Sequence, residues 1–394
     1  MSLFGDRPLG IAPASVRDHR ELARRRLPRQ LFDYIDGGAY EETTMAANVA
    51  DLEAIQLRQR VMRDVSRVTL STELFDSVLR MPVILGPVGL GGMFAGRAEV
   101  QAATAAEDFG VPFCESTVSI CSMEEVAAAT TEPFWYQLYV MRDRSYAEDL
   151  MARAAAVGCE VLVLTVDFPV VGERYRDTRN GMTVPVGPLG AAVKAIDLAR
   201  HLRWVRDVAM GGKPLTFGNL EKAVPGASTP EAFKDWVDSQ FDPSVTWRDI
   251  EWVREHWKGP VVLKGVLDPE DARHAAEVGV EGIVVSNHGG RQLDATTSTI
   301  SALPAVVDAV GGRSKVLFDG GIRSGLDVVK SMALGADAVL IGRAWAWAVA
   351  GGGQAGVAHV LDTIESELRV AMALCGATDV NDLDGGVLLQ PGIH

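Results

Sequence analysis

Cysteine is scarce in this sequence, and the spacing of the few cysteines disfavours two kinds of site. Cys114, Cys121, Cys159 and Cys375 are the only ones among 394 residues, and none forms a Cys-x-x-Cys pair. Thiols so few and so widely spaced predict neither a disulfide framework nor a metal site, and they suit a reducing compartment. Cys114 and Cys159 lie beside apolar residues, and we interpret them as inert core thiols.

Long apolar runs and an excess of basic charge are missing as well. No stretch of about 18 uncharged apolar residues occurs, so no transmembrane helix is expected, and residues 1–13 hold no apolar run of signal-peptide length. The formal net charge is −14, whereas nucleic-acid-binding proteins are usually basic. No Gly-x-Gly-x-x-Gly follows a first strand, which disfavours a nicotinamide-type Rossmann site. We expect a cytoplasmic protein without a nucleic-acid partner.

The sequence does contain an alternation of short apolar runs and alanine-rich amphipathic segments. The runs predict strands, and apolar residues at three- and four-residue spacing between them predict helices. Eight strands alternating with helices predict an α/β fold of the (β/α)8 TIM-barrel type rather than a doubly wound open sheet. The predicted strands are 82–85, 112–114, 134–138, 161–166, 260–263, 282–285, 315–318 and 338–341, and the predicted helices include 99–109, 123–129, 146–157, 269–278, 300–310 and 326–334.

Two segments lie outside this repeat. Residues 1–75 are predicted to form an N-terminal helical cap. Residues 180–245 separate the fourth and fifth strands by far more than the roughly two to six residues of an ordinary loop, and we interpret them as an insertion or lid. The barrel is expected to span 76–380 within a single domain of 1–394.

Polar, ionisable and glycine residues gather where the predicted strands end. Barrels of this class carry their active sites on that face. In chain order the strands are followed by Gly86 and Pro87, Glu115 and Ser116, Tyr139, Asp167, Lys264, residues 286–291, residues 319–321, and Gly342 with Arg343.

The most specific motif is SNHGGRQLD, residues 286–294, directly after the sixth predicted strand. His288 can take a proton near neutral pH, and Arg291 can bind a carboxylate with two parallel hydrogen bonds. Removing a proton from a 2-hydroxy acid requires such a base beside such a carboxylate site. A polar loop with a solvated histidine is the alternative for a lone His-Gly-Gly.

The loops after the seventh and eighth strands suit a phosphate. Residues 319–325 and 341–343 are rich in glycine, which lets backbone N–H groups approach an anion, and each loop carries an arginine, Arg323 or Arg343. Barrels often bind phosphate between these two loops. The motif alone does not separate a substrate phosphate from a cofactor phosphate, and a pair of ordinary tight turns is the alternative.

These strings together resemble the FMN-dependent 2-hydroxy acid dehydrogenase and oxidase family over roughly residues 15–380. Besides 286–294, the matching strings are Leu27-Pro28, Asp33-Tyr34, 137–139, 164–167, Lys264-Gly265 and 319–323. Within the family, the chain is most similar to the bacterial respiratory L-lactate dehydrogenases, on residues 36–40, 116–119, 172–177 and 241–244.

The resemblance implies FMN as the cofactor and assigns residues to each part of it. Lys264 would lie near N1 and O2 of the flavin, where its charge stabilises the reduced form. From the residues alone, Lys264 could equally pair with a neighbouring carboxylate. The other implied FMN contacts are Gly321, Arg323, Gly342 and Arg343 at the phosphate, Asp319 and Gly320 at the ribityl chain, Ser116, Gln137 and Thr165 at the polar edge, and Pro87, Val88 and Gly89 along the ring.

The resemblance also implies the substrate site. His288 would be the base, and Asp167 would orient its imidazole and raise its affinity for the proton. Arg291 and Tyr34, with Arg174, would bind the carboxylate, and Tyr139 would hydrogen-bond near the hydroxyl. Taken alone, either tyrosine would more commonly be a half-buried core residue.

The implied activity is oxidation of L-lactate, or another small L-2-hydroxy acid, to the 2-oxo acid by a homotetramer that passes electrons to a quinone-type respiratory acceptor. Family oxidases commonly carry alanine at the position of Gly89, so we expect slow reaction with O2. An oxidase that forms H2O2 from lactate, glycolate or a larger acid stays open. So does a non-catalytic barrel that binds a phosphorylated metabolite.

Two further features lead to expectations of their own. Glu115 stands where the lactate dehydrogenases tend to carry an apolar residue, and it would either perturb the flavin or face a solvated turn. Residues 193–210 predict an amphipathic helix with Leu198 and Leu202 on one face and Arg200 and Arg203 opposite. Such a helix could lie on the inner face of an anionic cytoplasmic membrane or pack on the barrel as an ordinary surface helix.

Overall fold

Eight parallel strands form a barrel in the computed structural model, which describes residues 12–182, 184, 186–223 and 239–389. The sheet order runs from β3 through β10, β9, β8, β7, β6 and β5 to β4, and a parallel bridge between Leu85 and Phe113 closes it. The predicted TIM barrel is confirmed. The strands are β3 Val83–Leu85, β4 Cys114–Ser116, β5 Trp135–Leu138, β6 Val161–Thr165, β7 Val261–Val266, β8 Gly282–Val285, β9 Lys315–Phe318 and β10 Ala338–Ile341.

Helices surround this barrel. Predicted helices begin or end within two residues of the observed ones, and Ser122 and Asp268 cap two of them with their side chains, as short polar residues commonly do at helix starts. The helices are α1 Val16–Arg26, α2 Arg29–Asp36, α3 Thr43–Ala54, α4 Ala98–Phe109, α5 Met123–Ala129, α6 Arg144–Ala156, α7 Tyr175–Arg179, α8 Pro188–Arg200 and α9 Leu202–Trp204, followed by Asp249–His256, Pro269–Glu277, Thr299–Val310, Gly325–Ala333 and Arg343–Cys375.

The core has two layers because successive strand residues point to opposite faces. Inside the barrel lie side chains such as Ile84, Trp135, Val163 and Leu317. A hairpin of β1 Thr72–Leu74 and β2 Ser77–Leu79 contributes Leu74 and Leu79 to this inner cluster, on the side where the strands begin. The outward-facing side chains form a larger cluster with the helices. Among the described residues, this hairpin covers the barrel where the strands begin, and a cavity opens where they end.

The N-terminal segment is helical over only part of its predicted length. Its three helices end at Ala54, and residues 55–71 run without a helix until β1 begins. The segment predicted as a helical cap over 1–75 contains α1 to α3, but at 55–75 the structure instead pairs Leu57 with Leu388 and Thr69 with Asp379. Residues 1–11 lie outside the described part.

The insertion between β6 and β7 is built from short helices rather than one long one. The predicted helix over 193–210 is wrong, because α8 ends at Arg200 and His201 interrupts it at φ −113°, ψ 43°. After α9, a π-helical turn covers Val205–Met210. Residues 224–238 of the predicted insertion lie outside the described residues.

Candidate active site

One cavity of about 620 Å³ opens at the C-terminal ends of the strands. It contains most of the residues that the sequence analysis assigned to substrate and cofactor, although they come from every quarter of the barrel. Those at the cavity wall are Tyr34, Pro87, Val88, Gly89, Tyr139, Thr165, Arg174, Lys264, His288, Arg291, Asp319, Gly320, Gly321, Arg323, Gly342 and Arg343. Asp167 and Ser116 lie behind this wall, bonded to His288 and to Val118 N, and Gln137 accepts a hydrogen bond from Ser116.

His288 lies between a carboxylate and a phenol. Its Nδ1 is 3.0 Å from Asp167 Oδ1, and its Nε2 is 3.5 Å from the Tyr139 hydroxyl. Asp167 follows β6 and Tyr139 follows β5, so adjacent parallel strands deliver both groups to the same edge. With Asp167 accepting from Nδ1–H, Nε2 carries the lone pair that faces the cavity.

Burial sets the protonation of this pair. It lowers the pKa of His288 below its ordinary 6.5, and Asp167, which acts in the opposite direction, does not cancel the effect. Burial also acts on Asp167, but its pKa is lowered because His288 and Lys264 outweigh the desolvation. Asp167 by itself raises the proton affinity of His288, as expected, but burial outweighs this contact. At neutral pH the imidazole is neutral and the carboxylate is charged, as a general base requires.

Arg291 and Arg343 bind the C-terminal end of α2. Arg291 Nη1 donates to the carbonyls of Tyr34 at 2.6 Å and Gly37 at 2.9 Å. Arg343 donates to Gly37 with Nη2 and to Ile35 with Nε. The last carbonyls of a helix lack partners within it and carry its negative dipole end, so two guanidinium groups stabilise them. Both arginines thus fasten the N-terminal cap to the barrel.

Tyr34 and Arg174 complete the cationic side of the cavity. The Arg291 guanidinium lies 4.9 Å from the centre of the Tyr34 ring, and the Arg174 guanidinium lies 5.9 Å from the same ring centre. Arg174 Nη1 is 3.9 Å from Asp177. Burial and the neighbouring Arg174 lower the pKa of Arg291 to about 10, so the Arg291 guanidinium remains charged at neutral pH. The resulting positive field suits a carboxylate.

Lys264 is held at the centre of the barrel mouth. Its Nζ lies 2.9 Å from Asp319 Oδ2 and donates to Ser286 Oγ at the same distance. Burial alone would lower the pKa of Lys264, but Asp319 and Asp167 raise it above its ordinary value. Lys264 therefore does pair with a carboxylate, which was the alternative interpretation. Its ammonium group also lines the cavity.

The buried polar atoms around this mouth fit a flavin. Gln137 Nε2, Thr165 Oγ1 and Asp319 Oδ1 have no hydrogen-bond partner among the described residues. Buried polar groups are rarely left unpaired, and each such group calls for an explanation. An isoalloxazine edge with its ribityl chain offers the matching acceptors and donors. Ser116 donates to Gln137 Oε1 at 3.1 Å and thereby turns the amide nitrogen outward.

The phosphate loops are backbone cradles. Gly320 and Gly321 have φ of 103° and 102°, and Cβ atoms there would lie 2.3 Å from Thr299 Oγ1 and Asn48 O. Only glycine fits these positions. Arg323 stacks over Trp347 at 4.8 Å, and burial lowers its pKa to about 10. Because Arg343 spends donors on three carbonyls, the N–H groups at the start of helix Arg343–Cys375 are the better fit to a phosphate there.

Three phenylalanines of the wall were missed by sequence reasoning. Phe168 lies 5.5 Å from the His288 ring and 4.9 Å from Tyr139, and Phe241 packs against both Phe168 and Tyr139. Phe217 also lines the cavity. Phe168 directly follows Asp167, which is a signal that could have been used. Phe217 and Phe241 belong to the insertion, where no periodicity marks them.

Glu115 meets neither expectation set for it. It lies on β4 with its side chain pointing away from the barrel interior, fully buried, and its Oε1 accepts from Asn219 Nδ2 at 3.2 Å. It therefore neither contacts the flavin cavity nor faces a solvated turn. Burial raises the pKa of Glu115 well above its usual range, and the nearby Glu99 raises it further.

A family model described as FMN-dependent dehydrogenase matches residues 23–390. The chain belongs to this family. It is a flavoprotein oxidoreductase that uses FMN, and its activity is the oxidation of a 2-hydroxy acid. The alternative of a non-catalytic phosphometabolite-binding barrel is thereby set aside. No helix within the described ranges is long and apolar enough to cross a membrane.

Relatives of this FMN-dependent dehydrogenase cover nearly its full length. It is 56% identical over 377 residues to an L-lactate dehydrogenase of Caulobacter vibrioides (strain NA1000 / CB15N), which covers 96% of this chain and 98% of that one. It is 52% identical to an L-lactate dehydrogenase of Yersinia pestis (strain Pestoides F) over 93% of this chain and 96% of the other.

Solved structures share its fold. The monotopic membrane protein (S)-mandelate dehydrogenase superposes with a TM-score of 0.90 at 34% identity, over 96% of this chain and 99% of that one. A mandelate oxidase with (S)-4-hydroxymandelic acid gives a TM-score of 0.83 at 40% identity, over 96% and 98% of the two chains.

Proposed function

We propose that this enzyme oxidises L-lactate to pyruvate and passes the electrons to a quinone-type respiratory acceptor. The observation that carries the proposal is the placement of a neutral His288, held at 3.0 Å by Asp167, in the same cavity as Arg291 and Arg174. The relatives named L-lactate dehydrogenase support the substrate.

Each residue then has a defined task. The substrate carboxylate binds to Arg291 and Arg174 beside Tyr34, which points the hydroxyl toward His288 Nε2. His288 takes the hydroxyl proton, and the Asp167 carboxylate stabilises the imidazolium that forms. Tyr139, whose pKa burial raises far above its ordinary value, stays protonated and donates to the substrate oxygen. FMN, when bound, supplies the two-electron acceptor for the Cα–H bond.

The preference for a small acid is proposed from the relatives named L-lactate dehydrogenase. Val118 and Val171 line the cavity together with Phe168 and Phe241, and these side chains offer apolar contacts to a methyl group. Mixing the holoenzyme anaerobically with L-lactate, D-lactate, glycolate or (S)-mandelate in a stopped-flow instrument tests this. We expect L-lactate to bleach the flavin fastest, and faster bleaching by (S)-mandelate would refute the substrate.

The acceptor is tested in the second half of the same cycle. Gly89 lies at the cavity wall where family oxidases commonly carry alanine, and we expect the reduced enzyme to react slowly with O2 and quickly with a quinone analogue. A competing candidate is an oxidase that forms H2O2, favoured by the mandelate oxidase neighbours. Near-stoichiometric peroxide per lactate in air at high turnover would establish the oxidase instead.

We also propose attachment to the inner face of the cytoplasmic membrane, through α8. This helix buries none of its residues, and Leu189, Val193 and Ile196 are more than half exposed. The monotopic neighbour supports the idea. The positive charge beside the helix is weaker than the sequence suggests, since Arg203 and Arg206 both lie near Asp207.

A homotetramer is proposed from the family resemblance and is checked by light scattering of the holoenzyme.

A further inference from the structure

Asn219, in the insertion, lies buried between the barrel and α5. Its side chain uses three hydrogen bonds: Nδ2 donates to Glu115 Oε1 at 3.2 Å and to Ser116 O at 3.3 Å, and Oδ1 accepts from Met123 N at 2.8 Å. Met123 N–H lies in the first turn of α5, where a backbone N–H has no acceptor within its own helix. An asparagine amide has two N–H donors and an acceptor oxygen with two lone pairs, so Asn219 uses both donors and one lone pair here.

The backbone around Asn219 is held as firmly as its side chain. Arg153 donates to the Asn219 carbonyl at 2.9 Å, and Gly218 N donates to Ser119 O at 3.1 Å. A Cβ at Gly218 would lie 2.5 Å from Ser122 N, so the chain passes the β4–α5 loop more closely than any other residue would allow. Leu220, the next residue, is buried.

This contact connects two parts of the active site. Phe217, two residues before Asn219, is part of the cavity wall. Ser116, whose carbonyl accepts from Asn219, donates its hydroxyl to Gln137 at the flavin edge. Glu115 Oε2 has no partner among the described residues, so the bond from Asn219 to Oε1 is the hydrogen bond that the structure gives this buried carboxyl.

We infer that Asn219 and Glu115 are positioning residues that hold Phe217 in the substrate cavity by fixing the insertion to β4. The inference rests on the proposed 2-hydroxy acid site. Neither residue touches the reacting atoms, and both act through Phe217. Burial raises the pKa of Glu115 well above its usual range, which favours the neutral carboxyl, and glutamine offers an acceptor oxygen at the same position as Oε1.

The test compares Asn219→Ala, Glu115→Ala, Glu115→Gln and Phe217→Ala as holoenzymes. We expect Asn219→Ala to raise KM for L-lactate about tenfold with kcat changed less than about threefold, the order expected when one buried hydrogen-bonded contact is lost. Glu115→Ala leaves Asn219 bonded to Ser116 and Met123 and should have a smaller effect in the same direction. Glu115→Gln should restore KM to near the wild-type value.

Amide hydrogen exchange at residues 217–220 is the readout that does not depend on turnover. Asn219→Ala and Glu115→Ala should speed exchange there, whereas Phe217→Ala should raise KM without changing exchange. Asn381→Ala is the matched control, since Asn381 donates to Ser71 O on the exposed surface away from the cavity. It should change neither quantity.

The outcomes separate this inference from the proposed function. Unchanged exchange in Asn219→Ala, faster exchange with an unchanged KM, or a Glu115→Gln variant as impaired as Glu115→Ala would each overturn it. If the wild type does not oxidise L-lactate, the proposed function fails, and the exchange data still decide whether Glu115 and Asn219 hold this segment. If Asn219→Ala does not fold, Glu115→Ala decides.

Discussion

His288 has a left-handed backbone conformation, with φ of +57°, which is uncommon for a residue with a side chain. The conformation is maintained because Ser286 Oγ accepts from His288 N at 3.1 Å, and the same oxygen accepts from Lys264. Strained backbone of this kind is concentrated at functional sites, where the surrounding structure holds it. At the scale of the residue, the base is placed by its main chain as much as by Asp167.

His288→Gln should retain FMN and fold but lose turnover. Glutamine can accept a hydrogen bond but cannot take the proton, and removal of a general base typically costs about 10²–10⁴-fold in rate. Anaerobic flavin reduction by L-lactate measures the loss, with His256→Gln, on the surface helix Asp249–His256, as the control. Near-normal reduction by the His288 variant would refute the assignment of the base.

The pH profile of kcat/KM should rise with pH and level off below neutrality. The active form is the neutral imidazole, and burial lowers the pKa of His288 below 6.5, so the ascending limb should lie below that pH. Asp167 raises this pKa, so Asp167→Asn should move the limb to still lower pH while reducing kcat. A limb that stays in place or moves upward would contradict this account of the pair.

Arg291→Lys should not behave as a conservative change. Lysine retains the charge but loses the planar donors that hold the carbonyls of Tyr34 and Gly37. Hydrogen bonds to charged groups are worth about 1.5–3 kcal/mol each, so we expect kcat/KM to fall by roughly 10- to 100-fold. FMN content should change little. Arg313→Lys, at a surface helix end, is the matched control, and equal kinetics in the two variants would refute the assignment.

Among the elements, the motif at 286–294 shows what a sequence pattern conveys and what it hides. Its histidine and arginine are recognisable from their chemistry. Two of its other polar members bind α3: Asn287 exchanges side-chain hydrogen bonds with Asn48, and Asp294 accepts from the first N–H groups of that helix. These partners lie about 240 residues away in the chain, and no local pattern predicts which distant backbone a polar side chain will meet.

The strands differ in how well their bounds could be predicted. β8 and β10 are buried throughout and β9 is buried after Lys315, and all three have the predicted bounds because a strand buried on both faces is a continuous apolar run. β4 lies two residues beyond its predicted start, since Glu115 and Ser116 are buried polar residues whose partners come from elsewhere in the fold. The insertion could not be predicted in detail because its contacts with the barrel, not its periodicity, decide where its helices end.

Gly89→Ala tests the packing of the first strand's loop. A Cβ at Gly89 would lie 2.6 Å from Val118 Cγ2, so Val118 must move. Overpacking of this kind typically costs about 1–3 kcal/mol, and we expect a lower Tm and weaker FMN binding. The double variant Gly89→Ala/Val118→Ala should regain most of both, because it removes the colliding methyl group. A single variant with unchanged Tm and FMN affinity would show that the loop adapts freely.

For the whole molecule, the barrel was predictable because eight repeats of one pattern leave few architectures that bury all of them. What covers α8 was not predictable. We expect the holoenzyme to float with vesicles that contain phosphatidylglycerol. A Leu189→Asp/Val193→Asp/Ile196→Asp variant should stay in the unbound fraction and retain normal turnover on a soluble acceptor.

The control for that experiment carries the same number of charges elsewhere. Val61, Val78 and Val370 are also exposed, and their replacement by aspartate should leave flotation intact. Equal loss in both triple variants would point to net charge rather than to α8, and an absence of wild-type flotation would remove the membrane proposal.

The guanidinium of Arg291 both borders the substrate site and holds the last carbonyls of α2. Occupancy of the site and docking of the N-terminal segment are therefore thermodynamically linked equilibria. A bound carboxylate that orders Arg291 tightens the hold on α2, and by reciprocity any weakening of that segment's docking raises the dissociation constant of the substrate by the same factor. Helix α2, remote from the chemistry in sequence, thus belongs to the energetics of substrate binding.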